Sequence, residues 1–183
     1  MMKQRFLTVV FVALSVMLAA CGGKEKPSPR VDVWGSNDGL RVSMDAPKIE
    51  VPFKRTGGDL AEIQVSLNGV PFNMWWDTGA SMLCISSLEF TKMYKEGRIT
   101  DADYKGEIAT SIADGSTVKS QVYTIREVDI QGMGDKWLRL YNVDAVVSGN
   151  SNAPSLIGQN VIQQLPKHTF NESTGMIEFE GQR

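Results

Sequence analysis

The sequence predicts a mostly-β domain closed into a barrel, with two or three short helices. Three observations carry this. Short apolar runs recur along the chain, several alternating at period two, and clusters of Gly, Asn, Asp and Ser separate them. Two pairs of these runs flank glycine-bearing turns, Asn68-Gly69 and Ala113-Asp114-Gly115-Ser116. Helical spacing is confined to residues 88–95 and 158–165, with one further helical turn at 100–104.

Taken in order, Val31, Val33 and Trp34, then Leu40, Val42 and Met44, outline an N-terminal strand or a partly ordered lead-in. Residues 49–53 read as a strand, broken at Arg55-Thr56-Gly57-Gly58. In Ile63-Gln64-Val65-Ser66-Leu67 the apolar residues alternate, so one face is buried. Asn68-Gly69 is the favoured pair for a type I′ turn because both positions take positive φ. Residues 70–76 form the return strand and deliver Asp77 at its end, and 82–85 form the next strand. Ser86 or Ser87 caps the helix at 88–95, and Gly97 ends it. Strands at 107–112 and 117–125 flank the second turn, where Gly115 is expected at positive φ. Further strands are expected at 127–130, 137–143 and 145–147, then a loop of small polar residues to Pro154. In the helix at 158–165, Val161, Ile162 and Leu165 share one face. Phe170 and residues 176–179 close the chain as a hairpin around 171–175.

Before this domain lies a segment of another kind. Lys3 and Arg5 precede an apolar run from Phe6 to Leu18, then Ala19, Ala20 and Cys21. Basic start, apolar run too short for a comfortable membrane span, and small residues make the pattern of a secretory signal. Leu18-Ala19-Ala20-Cys21 resembles a bacterial lipobox, which implies a Cys21 that carries acyl chains (palmitate among them) and begins the mature chain. Each buried acyl methylene contributes about 0.8 kcal/mol, so several chains anchor stably. The expected organisation is a signal peptide at 1–20, lipidated Cys21 with a Gly-, Lys-, Glu-, Pro- and Ser-containing tether and lead-in at 21–48, and the β domain at 49–183. The expected location is the bacterial cell envelope, on its periplasmic or outer-surface face.

Composition excludes several classes. Nineteen Lys and Arg stand against 21 Asp and Glu, and loss of Lys3 and Arg5 deepens the acidity. Without a long basic run, nucleic-acid binding is not suggested. With Cys21 lipidated, Cys84 has no intramolecular disulfide partner, and Met82-Leu83-Cys84-Ile85 reads as a buried strand in which the thiol acts as a small hydrophobe. One further cysteine and one histidine, His168, make neither a zinc site nor a strong case for a Cys–His pair. No cofactor is expected.

The chemistry concentrates in Asp77-Thr78-Gly79-Ala80-Ser81, which ends a strand and precedes another. Asp-Thr-Gly by itself is a common turn. Here a glycine-tipped hairpin follows, then Leu156-Ile157-Gly158, a short helix and a terminal strand. That order resembles the retroviral-type, or retropepsin-like, aspartic proteases, including their bacterial lipoprotein relatives, over roughly residues 49–180. The resemblance implies a closed acid-protease-type barrel, a catalytic Asp77, supporting roles for Thr78, Gly79, Ala80 and Ser81, and a flap made of Ala113, Asp114, Gly115 and Ser116. In it Gly79 turns the chain and aims its N–H at the carboxylate, Ser81 donates to the outer oxygen, and Leu156, Ile157 and Gly158 are the second motif. Trp75-Trp76 departs from the small aliphatic residues usual before the aspartate, and residues 91–105 are longer than in compact viral enzymes.

Peptide hydrolysis by carboxylates needs two of them, sharing one proton. The chain has one such motif. Asp129, Asp135 and Asp144 lack the following Thr/Ser-Gly, and Asp114-Gly115-Ser116 sits in a turn. A homodimer with one Asp77 from each subunit follows. The leading expectation is therefore a membrane-tethered aspartic endopeptidase acting on extended polypeptide. A catalytically silent peptide- or protein-binding domain of the same fold is the alternative, and an unrelated envelope β-barrel holding a small ligand is a further one.

Overall fold

The computed structural model describes residues 41–111 and 115–181. The signal segment, Cys21 and the tether up to residue 40 lie outside the described residues, as do Ala113 and Asp114 of the second turn.

Twelve strands and two short helices are described: β1 (Arg41–Met44), β2 (Lys48–Pro52), β3 (Lys54–Arg55), β4 (Ala61–Leu67), β5 (Val70–Trp76), β6 (Leu83–Ser86), α1 (Ser87–Lys95), a 3-10 turn (Asp101–Asp103), β7 (Tyr104–Ser111), β8 (Thr117–Gln131), β9 (Trp137–Ser148), β10 (Leu156–Ile157), α2 (Gln159–Ile162), β11 (Lys167–Asn171) and β12 (Met176–Glu180). The larger sheet runs β1-β9-β6-β10-β5-β4-β8-β7, and β8 also pairs with β9. That second pairing joins β9-β6-β10-β5-β4-β8 into a closed ring, which is the expected barrel. Its interior is apolar by simple alternation: β4 and β5 turn Ile63, Val65, Leu67 and Met74 inward, where they meet Leu83, Ile85, Ile130, Leu138, Leu140 and Ile157.

The β4–β5 hairpin follows from its turn. Asn68 and Gly69 sit at φ 48° and 82°, so the strands pair without offset from Leu67–Val70 to Ala61–Trp76. Asn68 also ties the hairpin to its neighbour, since its Oδ1 accepts from Glu127 N at 3.0 Å. Helix α1 begins at a reciprocal cap: Ser86 Oγ accepts from Glu89 N, and the Glu89 carboxylate accepts from Ser86 N.

Two differences from the sequence reading concern strand length. The runs 117–125 and 127–130 are one strand, β8, and 137–143 and 145–147 are one strand, β9. Arg126 and Asn142 (φ 57°) interrupt the alternation at one shared point of the ladder while pairing continues on both sides. Helix α2 spans only four residues, because Leu165-Pro166 turns the chain into β11.

A separate sheet, ordered β11-β12-β2, brings the ends of the domain together. Ile49, Val51, Ile177 and Phe179 line its inner face and are fully buried. The Trp76 ring, next to Asp77, packs edge-on against His168 and Phe170, at 5.1 and 5.5 Å between centroids. Trp76 therefore neither crowds the aspartate nor walls a pocket: it docks this sheet onto the barrel.

Candidate active site

Asp77 leaves the end of β5, and the short strand β10 fixes its height. β10 runs between β5 and β6, parallel to the first and antiparallel to the second. It receives Asp77 N on Ile157 O at 3.0 Å, while Trp75 N donates to Ser155 O at 2.9 Å. The chain then turns, with Ala80 N donating to Asp77 O at 3.2 Å. Gly79 N donates to Asp77 Oδ1 at 2.8 Å, a bond that fixes the direction of the carboxylate. A Cβ on Gly79 would lie 3.1 Å from that oxygen and would push the carboxylate aside.

The far side of the loop is held by the start of α2. Gln159 N donates to Ala80 O at 2.8 Å and Asn160 N to Ser81 O at 3.0 Å, while the Gln159 amide donates to Thr78 O at 2.8 Å. The Asn160 side chain accepts from Leu83 N and donates to Asp144 O, each at 2.7 Å, so one amide bridges β6 and β9. Gly158 has no room for a side chain: a Cβ there would lie 2.3 Å from Met82 O. This close approach is the physical reason for glycine in Leu156-Ile157-Gly158. Gln159 and Asn160 were visible in the sequence as two amides after that glycine, but their contacts are long-range and the spacing gives them no role.

The loop is open to solvent. Asp77 is half-buried, and Thr78, Gly79 and Ser81 are exposed. Among the described residues no hydrogen bond joins the Ser81 hydroxyl to the Asp77 carboxylate. No second carboxylate of the described chain faces it as an obvious mate. Asp129 pairs with Arg139, Asp135 sits in a turn at φ 56°, and Asp144 accepts from Thr124 at 2.9 Å.

The β7–β8 hairpin is tied to this loop at its base. Met82, Val122 and Val146 form a small apolar cluster of their own, with Ile108 packed against it. The strands stay paired out to Ser111–Thr117, and Gly115 sits at φ 83° with open space where a Cβ would be. Ser116 beside it is exposed.

The two groups considered for thiol chemistry are engaged separately. Cys84, half-buried on β6, has its thiol pushed up to about 11 by burial and then by the charge of Glu89. His168 lies on the terminal sheet, its ring against Trp76 and Phe179 and its Nδ1 2.9 Å from Pro166 O. Two surface hollows, one of about 300 Å³ beside Asp129 and Trp137 and one of about 750 Å³ beside Met44 and Leu165, do not include Asp77.

The family model for gag-polyprotein putative aspartyl proteases matches residues 63–164, more than half of the chain, from β4 through α2. The crystal structure of a retropepsin-like aspartic protease from Rickettsia conorii resembles this one with a TM-score of 0.45 and 15% identity, over 76% of this chain and 90% of that chain. No curated protein matches the sequence.

Proposed function

The chain belongs to the gag-polyprotein putative aspartyl protease family, which is retropepsin-like, and on that footing we propose that it is an endopeptidase whose catalytic residue is Asp77. The observation that carries this is the way the loop is held: β10 and α2 fix its backbone, Gly79 N–H fixes the carboxylate, and the mouth is open.

The chemistry follows from two carboxylates on a two-fold axis, one Asp77 from each subunit of a homodimer. At such a distance they cannot both ionise, so they share a proton and titrate as a pair. The ionised one takes a proton from a water between them as that water attacks the scissile carbonyl. The protonated one hydrogen-bonds the carbonyl oxygen, and a proton then passes to the leaving amine. Thr78, Gly79, Ala80 and Ser81 position the loop, and the hairpin carrying Gly115 and Ser116 closes over the substrate and excludes water. An extended polypeptide suits this cleft because its backbone offers hydrogen bonds along its whole length. Leu18-Ala19-Ala20-Cys21 supports lipid attachment at the cell envelope, with 1–20 as signal and the tether ending ahead of β1, which already pairs with β9 in the domain.

Incubating the protein with a diverse peptide library at several pH values tests this, beside Asp77→Asn. Wild type should cleave, a statine-type transition-state mimic should block it, and Asp77→Asn should retain less than about 1% of the rate, the order of loss typical for an essential catalytic group. Cleavage by Asp77→Asn at the wild-type rate would remove Asp77 from the mechanism. Binding without cleavage by wild type would favour the silent peptide-binding domain.

A further inference from the structure

The alternation that fills the barrel also orders its outer face. Gln64 and Ser66 of β4, Asp129 and Gln131 of β8, and Trp137 and Arg139 of β9 all point outward. The ladder sets them side by side: Ser66 is opposite Asp129, Asp129 opposite Arg139, and Gln131 opposite Trp137. They line the hollow of about 300 Å³, to which the β8–β9 turn adds Asp135 and Lys136.

These side chains fall into two groups. One is a fixed wall. Arg139 donates to both oxygens of Asp129, through Nε and, at 3.0 Å, through Nη2. Its guanidinium also lies 4.4 Å over the half-buried Trp137 ring, so the indole and the ion pair hold one arrangement. The turn is tied down as well, since Gly132 N donates to Lys136 O and Met133 N to Glu50 O, each at 2.8 Å. The other group is unengaged: among the described residues, the side chains of Gln64, Ser66, Gln131, Asp135 and Lys136 have no partner within the chain.

The charges of this lining cancel. Asp129 answers Arg139, Asp135 adjoins Lys136, and Glu127 lies 3.5 Å from the same Arg139. No net positive field is left to draw a phosphate, a sulfate or a nucleic acid. What remains is an apolar ring beside amides, a hydroxyl and a carboxylate, groups that between them donate and accept. A pyranose unit has the matching chemistry, with C–H groups across one face and hydroxyls, each both donor and acceptor, around its rim. The volume stands at the small end of ligand sites, which suits a sugar unit rather than a large cofactor.

We propose that this hollow is a saccharide site that takes an uncharged pyranose unit of a glycan. Trp137 is its apolar platform, and Gln64, Gln131 and Asp135 bond the hydroxyls. The wall is held in place before the ligand arrives, so little ordering is left to oppose binding. No residue of the 77–82 loop lines the hollow, so a bound glycan and work at Asp77 are compatible. The inference stands apart from the protease reading.

The test titrates the full-length chain, labelled with nitrogen-15, with chitotetraose, cellotetraose and maltotetraose in turn, and with a sulfated tetrasaccharide as the charged control. A site this open should bind with a dissociation constant of about 1 mM, so sugar is taken to about 10 mM. The chain has four tryptophans, and the indole signal missing from Trp137→Phe is that of Trp137. At least one uncharged sugar should move this signal and the Gln64 and Gln131 side-chain amides in a saturable way, and the sulfated one should bind no more tightly. Trp137→Ala should weaken binding about tenfold or more. Because that change also frees Arg139, Gln131→Ala serves as the second variant. Its side chain is exposed and unpartnered, so unfolding should match wild type while affinity falls about three- to tenfold. Absence of a saturable shift with all three sugars, shifts confined to residues outside the hollow, or wild-type affinity in both variants would each overturn the proposal. Tighter binding of the sulfated sugar would overturn it too, by giving the site to an anion.

Discussion

The 77–82 loop and the β7–β8 hairpin meet at one apolar contact, Met82 against Val122 with Ile108 beside it, yet they are built in opposite ways. Backbone and side-chain bonds from β10 and α2 reach the loop at Asp77, Thr78, Ala80 and Ser81. Its glycine neighbour, Gly158, is there because no Cβ fits. Gly115 is there for the converse reason: space is open, but φ is 83°. One glycine answers to packing, the other to backbone conformation. A carboxylate that must stay in place is thus set among fixed partners, and the segment proposed to move over a substrate extends along its own ladder from a small apolar foot.

If that contrast is right, damage to the fixed half should cost stability first. The largest effect is expected from Asn160→Ala. It leaves Leu83 N and Asp144 O without their partners in a half-buried place, at about 1–3 kcal/mol each. Urea unfolding should show a loss of about 2–6 kcal/mol. A loss under about 0.5 kcal/mol, the scale of an ordinary surface change, would mean that water replaces the amide and that the loop is less fixed than described. Gly158→Ala comes next. Its new methyl would sit 2.3 Å from Met82 O, so the 77–82 loop must move, at about 1–3 kcal/mol. Because the same motion shifts Asp77, turnover should fall along with stability.

These two residues also mark where the sequence stops being readable. Period-two alternation and Asn68-Gly69 were enough for the β4–β5 hairpin, and the serine pair Ser86-Ser87 was enough to mark the start of α1, whose cap is Ser86. Local signals sufficed because the partners are neighbours in the chain. β10 is two residues long and has no period to detect, although Leu156-Ile157-Gly158 stood out as a motif. Its partners lie about 80 residues away, at Trp75, Trp76 and Cys84. The Asn160 bridge is hidden for the same reason. β8 reads as two runs because Arg126 breaks the alternation and β9 as two because polar Asp144 interrupts the apolar run, and only the cross-strand ladder carries pairing through both points. Trp75-Trp76 read as bulk near the aspartate, but the alternation of β5 sends Trp76 into the core and leaves Trp75 half-buried, its Nε1 donating to Glu62 at 3.3 Å.

The open half should respond in the other order. Gly115→Val puts a β-branched residue at positive φ, at about 1–2 kcal/mol, with no steric clash to add. The hairpin is exposed there and can relax, so the change in global stability should be at the low end of that range. Turnover on a peptide substrate should drop by more than about tenfold, since a lid that closes wrongly misplaces the substrate. Unchanged kinetics would make it a plain surface hairpin and end the comparison.

The smallest effect, and the finest probe of the fixed half, belongs to Cys84. It lies on β6 opposite Leu156 of β10, directly behind the loop. Its thiol is pushed from 9.0 to about 11, first by burial and then by Glu89. Only the thiolate is alkylated, so at pH 8 the rate should be about a hundredfold below that of an unfolded chain, before any further protection from burial. The shift also carries a sign for stability. The unfolded thiol ionises near 9 and the folded one near 11, so the unfolded state releases its proton first. The stabilising difference is whole below pH 9 and is lost as pH rises toward 11, and Cys84→Ala should remove that part of the slope. Gly158→Ala should speed alkylation because it loosens the β10–β6 contact, whereas Gly115→Val should leave the rate as it is. Equal acceleration by both variants would show that the loop and the hairpin open as one unit, joined through Met82, and that the division between a fixed half and a free half is wrong.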